Sequence, residues 1–462
     1  MSKKIYIRTF GCQMNAHDSE IIAGMLRQRG YKIIDSLDNA DIVLFNTCSV
    51  RQHAEARVWG KVGELKKLKA QSAKLKIGII GCMAQNYKEK IFERLPHVDL
   101  VCGATNMYDL PDLLKNLNNS DKKVLAVNKS QRDPRKKIDI SKRENSVKAF
   151  VSIVEGCDNY CSYCIVPYVR GPEVSRPVNV IVDEIKRLVD DGVKEVMLLG
   201  QNVNSYKSTV DSPQLTDNKK QFTVYSSQFT GDSKNKKNDF VKLLEKLNKI
   251  EGLERIRFMT SHPKDADEDL FKAISGLPRV CEHLHLPVQS GSSRILGLMN
   301  RGYTREDYFK KIESLKKTVK DCAITTDIIV GFPTETEKDF NETIKLMKEV
   351  EFDSAFIFKY SPRNRTKAAL LKDDVEYEIK QERNQILLQL QGDISKKKNE
   401  ALVGRTLEVL IEDVNKKNKA EFVGHSRQDK LVIFKKNKHS LGKLVNVRIS
   451  SSTNHTLIGE TE

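Results

Sequence analysis

Short apolar runs and longer amphipathic stretches alternate along most of this 462-residue chain. Ile5-Tyr6-Ile7, Ile42-Val43-Leu44-Phe45 and Ile77-Gly78-Ile79-Ile80 are continuous apolar runs, as parallel strands covered on both faces require. Between the first two, Ile21, Ile22, Met25 and Leu26 recur at helical spacing and form one apolar face. A further helix over 109–117 closes the unit. Residues 3–118 therefore read as an open α/β domain.

Residues 119–146 are polar and heavily charged without clear periodicity, and read as a linker or an extended strap. Over 147–378 the strand and helix rhythm resumes six times. Strands are expected at 149–154, 195–199, 255–259, 283–286, 323–330 and 354–359, with helices such as 180–189 and 340–350 between them. Six such units suit a partial (β/α)6 barrel, whose sites lie at the C-terminal ends of its strands. The stretch 207–239 is rich in Ser, Thr, Lys, Asp and Gln and breaks the rhythm, so it reads as a polar surface insertion. A basic helix follows over 379–398. The last segment, 399–462, carries short strands at 407–411, 420–423, 430–434 and 444–449 joined by polar turns. That pattern predicts a small OB-like β-barrel. Such barrels commonly bind nucleic acid, although packing on its own chain alone is the competing reading.

Hydrophobic residues make up 39% of the chain, enough for two or three cores. No apolar run reaches membrane-spanning length, and the N-terminus turns polar too soon for a signal peptide. A cytoplasmic protein with no membrane partner is expected. The formal charge of +17 favours a polyanionic partner, while a generally lysine-rich background would give the same balance. Nine cysteines in such a chain do not read as a secreted disulfide framework.

Three of them, Cys157, Cys161 and Cys164, share one short loop, Gly156-Cys157-Asp158-Asn159-Tyr160-Cys161-Ser162-Tyr163-Cys164. Spaced this way, three thiolates can converge on one four-iron cube, which normally takes four cysteines. One iron stays open for a ligand. Zinc would need a fourth ligand that this loop lacks. The loop follows the first barrel strand, at the mouth. Cys12, Cys48 and Cys82 each fall just past the C-terminal end of one N-terminal strand, where loops of a parallel sheet share a crevice. From the residues alone, a second cube and three buried thiols remain equally good readings. Cys102, Cys281 and Cys322 match no cluster pattern and read as core or near-surface thiols.

The loop motif resembles the cluster loop of radical S-adenosylmethionine enzymes. Taken with Phe10-Gly11-Cys12-Gln13-Met14-Asn15, Asn46-Thr47-Cys48-Ser49-Val50-Arg51, Gly81-Cys82-Met83-Ala84-Gln85 and the run Ile165-Val166-Pro167-Tyr168-Val169-Arg170-Gly171-Pro172-Glu173, it is similar to their methylthiotransferase branch. The resemblance covers nearly the whole chain. It implies an N-terminal methylthiotransferase domain, a radical barrel and a C-terminal TRAM domain. It also implies two [4Fe-4S] clusters, one on Cys157, Cys161 and Cys164 that binds S-adenosylmethionine, and one on Cys12, Cys48 and Cys82 that carries the sulfur to be inserted. The implied partners are a tRNA anticodon arm bearing N6-dimethylallyladenosine, held by the basic C-terminal domain, and a low-potential electron donor; a monomer is expected. Sister enzymes of the same plan modify threonylcarbamoyl-adenosine of tRNA or an aspartate of a ribosomal protein. The rival of another class is a two-cluster electron-transfer or RNA-binding protein without catalysis.

The resemblance also suggests that Gly200 and Gln201 after the second barrel strand, Gln289 after the fourth, and Asp327 and Gly331 of the fifth line the S-adenosylmethionine site. Ordinary strand-end turns are the alternative for each. Asp327 stands where many radical enzymes have glycine. Arg170, Glu173 and Arg176 are candidates for anchoring a ligand carboxylate or phosphate, with surface ion pairs the equal alternative. Where the family usually reads Ser-Pro-Arg-Pro-Gly-Thr, this chain has Ser361-Pro362-Arg363-Asn364-Arg365-Thr366, which predicts a changed turn.

Overall fold

The computed structural model describes residues 2–49, 52–72, 74–119, 122–127, 147–208, 238–436 and 438–462. The N-terminal region forms a six-stranded, all-parallel sheet. In chain order its elements are β1 (Lys4–Phe10), α1 (Gln13–Gln28), β2 (Lys32–Ile34), β3 (Ile42–Thr47), α2 (Gln52–Gln71), β4 (Lys76–Gly81), α3 (Cys82–Tyr87), α4 (Lys90–Arg94), β5 (Leu100–Gly103), α5 (Leu110–Asn119) and β6 (Val124–Ala126). The strand order is β2-β1-β3-β4-β5-β6. The three strands read from apolar runs are the central neighbours β1, β3 and β4. The other three are only three or four residues long and carry too little apolar pattern to stand out. Strand β6 falls inside the stretch read as a linker, where Leu100 to Cys102 pair in parallel with Val124 to Ala126. The sheet thus runs further than residue 118. The rest of that stretch, 128–146, lies outside the described residues, as do 209–237 of the expected insertion.

The central region supplies β7 (Lys148–Ser152), β8 (Val154–Glu155), α6 (Val166–Val169), β9 (Val174–Ser175), α7 (Val178–Asp190), β10 (Glu195–Leu199), α8 (Asp239–Leu247), β11 (Arg255–Phe258), α9 (Glu268–Gly276), β12 (His283–His285), α10 (Ser293–Leu298), α11 (Arg305–Thr318), β13 (Ala323–Val330), α12 (Glu337–Val350) and β14 (Ser354–Lys359). Two parallel ladders, β7-β10-β11 and β12-β13-β14, meet through a parallel bridge between Ile256 and Val280. The result is an open six-stranded barrel in sequence order. Its core is continuous, from Val151 and Val196 through Phe258 and Leu284 to Ile328 and Phe352.

Helix α13 (Tyr377–Glu400) is the basic helix expected over 379–398. At about 1.5 Å per residue it is roughly 36 Å long, enough to run the depth of the barrel. Near its start Arg383 meets Glu335, just past the C-terminal end of β13, at 2.8 Å. Near its end Lys398 meets Asp353, at the start of β14, at 2.6 Å. The chain then forms a closed barrel of β15 (Thr406–Val414), β16 (Glu421–Ser426), β17 (Leu431–Lys435), β18 (Leu444–Ser452) and β19 (Leu457–Thr461). The fifth strand escaped the pattern of four because Leu-Ile-Gly-Glu-Thr holds only two apolar residues. It closes the barrel by pairing in parallel with β17, Val432 to Leu457.

This small barrel packs on the foot of the larger one. Arg255 and Arg257 of β11 donate to the carbonyls of His425 (2.6 Å) and Ser426 (2.6 Å). Arg427 answers with a bidentate pair to Glu282 at 2.7 and 2.8 Å. Lys430 reaches Asp353 at 2.9 Å. Arg255, Glu282 and Asp353 lie at or just before the beginning of β11, β12 and β14, so the small barrel sits at the end opposite the mouth. Part of its basic charge is used in this attachment.

Candidate metal and radical site

Cys12, Cys48 and Cys82 follow β1, β3 and β4, three adjacent strands of the sheet. Cys12 caps α1, and Cys82 opens α3. Two asparagines tie the first two loops together. Asn15 accepts from the Cys12 thiol (3.3 Å) and donates to Asn46 Oδ1 (3.2 Å) and the Thr47 carbonyl (3.3 Å), while Asn46 donates back to the Asn15 carbonyl (2.8 Å). A Cβ on Gly11 would lie 2.7 Å from Cys48 Cβ, so glycine is what lets these loops close up. The hydrogen bond shared with Cys48 brings the Cys12 thiol down to about 6 against the effect of burial, with help from the Arg170 charge. Burial pushes Cys82 up, and Arg170 opposes it.

The second triplet lies on the loop after β7 and β8. Cys157 and Cys161 are buried and Cys164 is half-buried. Cys157 N–H donates to the Gly171 carbonyl (3.3 Å) and Cys164 N–H to the Cys161 carbonyl (2.9 Å). Burial raises the Cys157 thiol, and burial with the neighbouring Cys161 charge pushes Cys164 up to about 12. Cys157 and Cys164 thus hold their protons against water and would give them up to a bound cation. Arg301 donates to Cys161 Sγ at 3.3 Å, and to the Pro287 carbonyl at 2.7 Å. His262 Nε2 stands 4.0 Å from the same sulfur, its ring edge-on to Tyr303. Among the described residues, no group of His, Cys, Asp and Glu closes tightly enough for a single metal ion. A four-iron cube sets its thiolates further apart than one ion does, so loops that surround a space are the arrangement it needs.

The two cysteine loops meet at the domain boundary. Cys82 packs with Ile165 and Val169, the segment directly after Cys164. Two ion pairs flank this contact. Arg170 Nη2 meets Asp18 Oδ2 at 2.7 Å, with both side chains under 5% exposed. Its Nη1 is buried without a nitrogen or oxygen partner, and the guanidinium lies against the Cys82 thiol. Arg363 meets Glu55 at 3.0 Å, and Glu55 accepts a hydrogen bond from Ser49, the neighbour of Cys48. An orphaned guanidinium nitrogen beside the Cys12 and Cys82 thiols fits an anionic group seated there.

The residues expected to line the cofactor pocket divide into two sets. Asp327 stands 3.6 Å from His285 Nε2, and its carbonyl accepts from Gln289 N–H at 2.8 Å. Gln289 adopts a φ of 74°, a left-handed conformation in a buried glutamine. Gly200 and Gln201 lie across the mouth, after β10, and Gln201 Oε1 is buried without a partner. Next to them Asn202 accepts from His262 N–H (3.0 Å), which links this edge to Cys161. At Gly331 the close approach is made by Lys380 of α13, whose Cγ a Cβ would overlap. Arg170 and Arg176 are not surface groups. Arg176 is buried and bound to Glu184 and the Ser152 carbonyl, both at 2.6 Å. Cys102 and Cys281 lie in the core, and Cys322 is half-buried.

Arg301, His262, Glu55 and Asp18 were not legible beforehand, since each acts on a partner far off in sequence. The one available signal was position: His262 follows β11 at the mouth. The Arg363–Thr366 turn survives the loss of Pro-Gly. Thr366 N–H and Oγ1 both bond the Arg363 carbonyl, and Arg365 takes a φ of 76°.

Comparison with known proteins agrees along the chain. Residues 4–103 match the model described as Uncharacterized protein family UPF0004, residues 151–347 the Radical SAM superfamily and residues 400–461 the TRAM domain. The tRNA-2-methylthio-N(6)-dimethylallyladenosine synthase of Clostridium botulinum (strain Okra / Type B1) is 45% identical over 459 residues, covering 99% of this chain and 96% of its own. The protein of that name from Thermoanaerobacter pseudethanolicus is 46% identical over 98% of this chain and 92% of its own. Among solved structures, the radical S-adenosylmethionine methyltransferase TsrM from Kitasatospora setae, with cobalamin and a [4Fe-4S] cluster bound, superposes with a TM-score of 0.55. It is 12% identical and covers 80% of this chain and 77% of its own, a likeness of fold. With three family models in register and such identity over nearly its whole length, the chain belongs to the tRNA-2-methylthio-N(6)-dimethylallyladenosine synthase family, within the radical S-adenosylmethionine methylthiotransferases.

Proposed function

We propose that this chain converts N6-dimethylallyladenosine beside the tRNA anticodon to its 2-methylthio derivative. The family supports the reading, and one structural observation carries it for this chain. Cys82 of one triplet packs against the segment directly after Cys164 of the other, which brings the two cysteine loops to one domain boundary. On this reading Cys157, Cys161 and Cys164 hold the cluster that binds S-adenosylmethionine, and Cys12, Cys48 and Cys82 hold the cluster that carries sulfur. Gly200, Gln201, Gln289, Asp327 and Gly331 line the S-adenosylmethionine site.

Carbon 2 of adenine bears an unactivated C–H bond that no side chain has the pKa to deprotonate. The bound clusters and S-adenosylmethionine supply the radical and sulfur-transfer chemistry instead. The protein's own contribution is placement. Arg301 and His262 flank Cys161, and Arg170 sits beside Cys82. The Asp18 and Glu55 ion pairs hold the two cysteine loops in register. A base of the anticodon loop is already unpaired, so it can enter a pocket without breaking a duplex.

The remaining assignments follow from the same reading. The chain acts in the cytoplasm as a monomer, takes electrons from a low-potential donor, and divides after β6 and at about residues 146, 378 and 398. The small basic barrel holds the tRNA arm from the foot of the radical barrel, so an RNA touching both lies along its side. Nucleoside analysis of tRNA from a deletion strain tests the substrate. Loss of the methylthio group from the dimethylallyl species alone is expected, whereas loss from threonylcarbamoyl-adenosine would assign the sister activity. Reduced, cluster-loaded protein given S-adenosylmethionine should release 5′-deoxyadenosine, and none would support a non-catalytic protein.

A further inference from the structure

Beside the contact of the two cysteine loops stand three side chains that the assignments above leave unused: Tyr160, Tyr168 and Arg365. Tyr160 comes from the cysteine loop itself. It is 46% exposed, high for a tyrosine between two buried stretches. Its loop is held in place, because Asn300 Nδ2 donates to the carbonyls of Tyr160 (3.0 Å) and Asn159 (3.3 Å). The Tyr160 ring meets Tyr168 edge-on, with centroids 6.3 Å apart and planes at 83°. Tyr168 in turn rests on the group formed by Cys82, Ile165 and Val169. Over its ring, 5.4 Å from the centroid, lies the guanidinium of Arg365.

Arg365 is an unusual residue at this position. Its φ of 76° lies in the left-handed region, where glycine is comfortable and a long side chain is not. It is exposed, and among the described residues no carboxylate pairs with it. The neighbouring Arg363 is bound to Glu55 and leaves Arg365 as the outward charge of this turn. An aromatic pair with a free cation on top is the arrangement that unpaired nucleotides recognise. Rings stack on bases, and arginine meets both the π face and the phosphate.

We propose that Tyr160, Tyr168 and Arg365 form a stacking platform for the nucleotide next to the modified adenosine, with Arg365 on its phosphate. This rests on the tRNA reading above and adds to it the surface that presents the anticodon loop to the two cysteine loops. The positive charge of the chain and the open exposure of the platform both favour a single-stranded polyanion over a protein partner.

The test is filter binding of the full, cluster-loaded chain to tRNA carrying N6-dimethylallyladenosine, across a range of salt. Arg365→Gly should weaken binding about fivefold near physiological salt and flatten the salt slope by about one phosphate equivalent. Its melting temperature should hold or rise, since glycine suits that backbone. Tyr160→Ala should weaken binding about tenfold with the salt slope unchanged, while Tyr160→Phe keeps wild-type affinity. Wild-type affinity and slope in both Arg365→Gly and Tyr160→Ala would overturn the platform and leave the function reading standing. A wild-type chain that does not bind this tRNA would overturn both.

Discussion

Arg170 and Asp18 form a buried ion pair, Nη2 to Oδ2 at 2.7 Å, that joins the end of the radical cysteine loop to the first helix of the N-terminal sheet. The pair is 152 residues apart in sequence. It stands where the two cysteine triplets approach each other, so one interaction fixes the relation of both. Burial would push the arginine toward neutrality, but Asp18 and the Cys82 and Cys12 thiols hold its pKa well above the ordinary value.

Breaking that pair strands a charge in the interior. Asp18→Ala should cost about 3–5 kcal/mol, as loss of one partner of a buried pair does. The double variant Asp18→Leu with Arg170→Leu removes both charges and should cost less than Asp18→Ala alone. Urea unfolding of wild type, Asp18→Ala and the double variant checks this, and a double variant less stable than Asp18→Ala would show that the stranded charge is not the source of the loss.

The small barrel should depend on the buried charges of β11 for its seat. Arg257 Nε stands 3.1 Å from Glu195, and both side chains are at most 1% exposed. Its terminal nitrogens donate to the carbonyls of Arg427 (2.8 Å) and Ser426 (2.6 Å). Arg257→Met leaves Glu195 with Lys148 as its remaining close cation, at 3.2 Å. A loss of about 3 kcal/mol is expected. Limited proteolysis should then release the 400–462 region earlier than in wild type, and unchanged cleavage would deny this attachment.

Acid should loosen the same foot. Burial lowers His283 to about 4, below the 6.5 of an exposed imidazole. The unfolded chain therefore binds the proton first as pH falls, and stability is lost from pH 6.5 down to about 4. At pH 5 the deficit is about 2 kcal/mol, from 1.36 kcal/mol per pH unit. Glu195 works in the same direction. Burial would raise it, yet Arg257 and Lys148 hold it below the ordinary carboxylate value, so its contribution also fades in acid. His283→Gln keeps the contact to Thr325 Oγ1 made by Nε2 and has no proton to gain. Its melting temperature should fall less than wild type between pH 7 and pH 5; parallel curves would exclude His283 as the source.

Metal content separates the triplets. Anaerobically reconstituted protein should carry about eight irons and eight sulfides, and the Cys12/Cys48/Cys82→Ala variant about four of each. The remaining cluster should still support release of 5′-deoxyadenosine. An unchanged iron count in that variant would mean the N-terminal thiols are buried core groups and hold no cluster.

Some of this was legible without coordinates because it is local. Cys157, Cys161 and Cys164 are bound by spacing within one loop. Cys12, Cys48 and Cys82 could be placed because parallel strands deliver their following loops to one edge. Six barrel strands could be counted because strand and helix patterns alternate six times, a rhythm that places even the short β11 and β12. Short strands outside that rhythm, such as β5, β6 and β19, carry too few positions for a pattern and are made by pairing with neighbours. Asn364-Arg365 read as a changed turn, and two bonds from Thr366 to the Arg363 carbonyl close that turn with Arg365 as its left-handed residue.

Sequence by itself determined the thiols, their two groupings and the class of layers that carry them, because those depend on near neighbours and on periodicity. Tertiary structure alone decided that Cys82 meets the segment after Cys164, that Arg170 and Arg363 pin the two domains, and that the small barrel sits at the foot. Those relations join residues as far apart as 152 and 308 positions, and only the packing of buried surface and the pairing of buried charge can choose among the many ways of bringing them together.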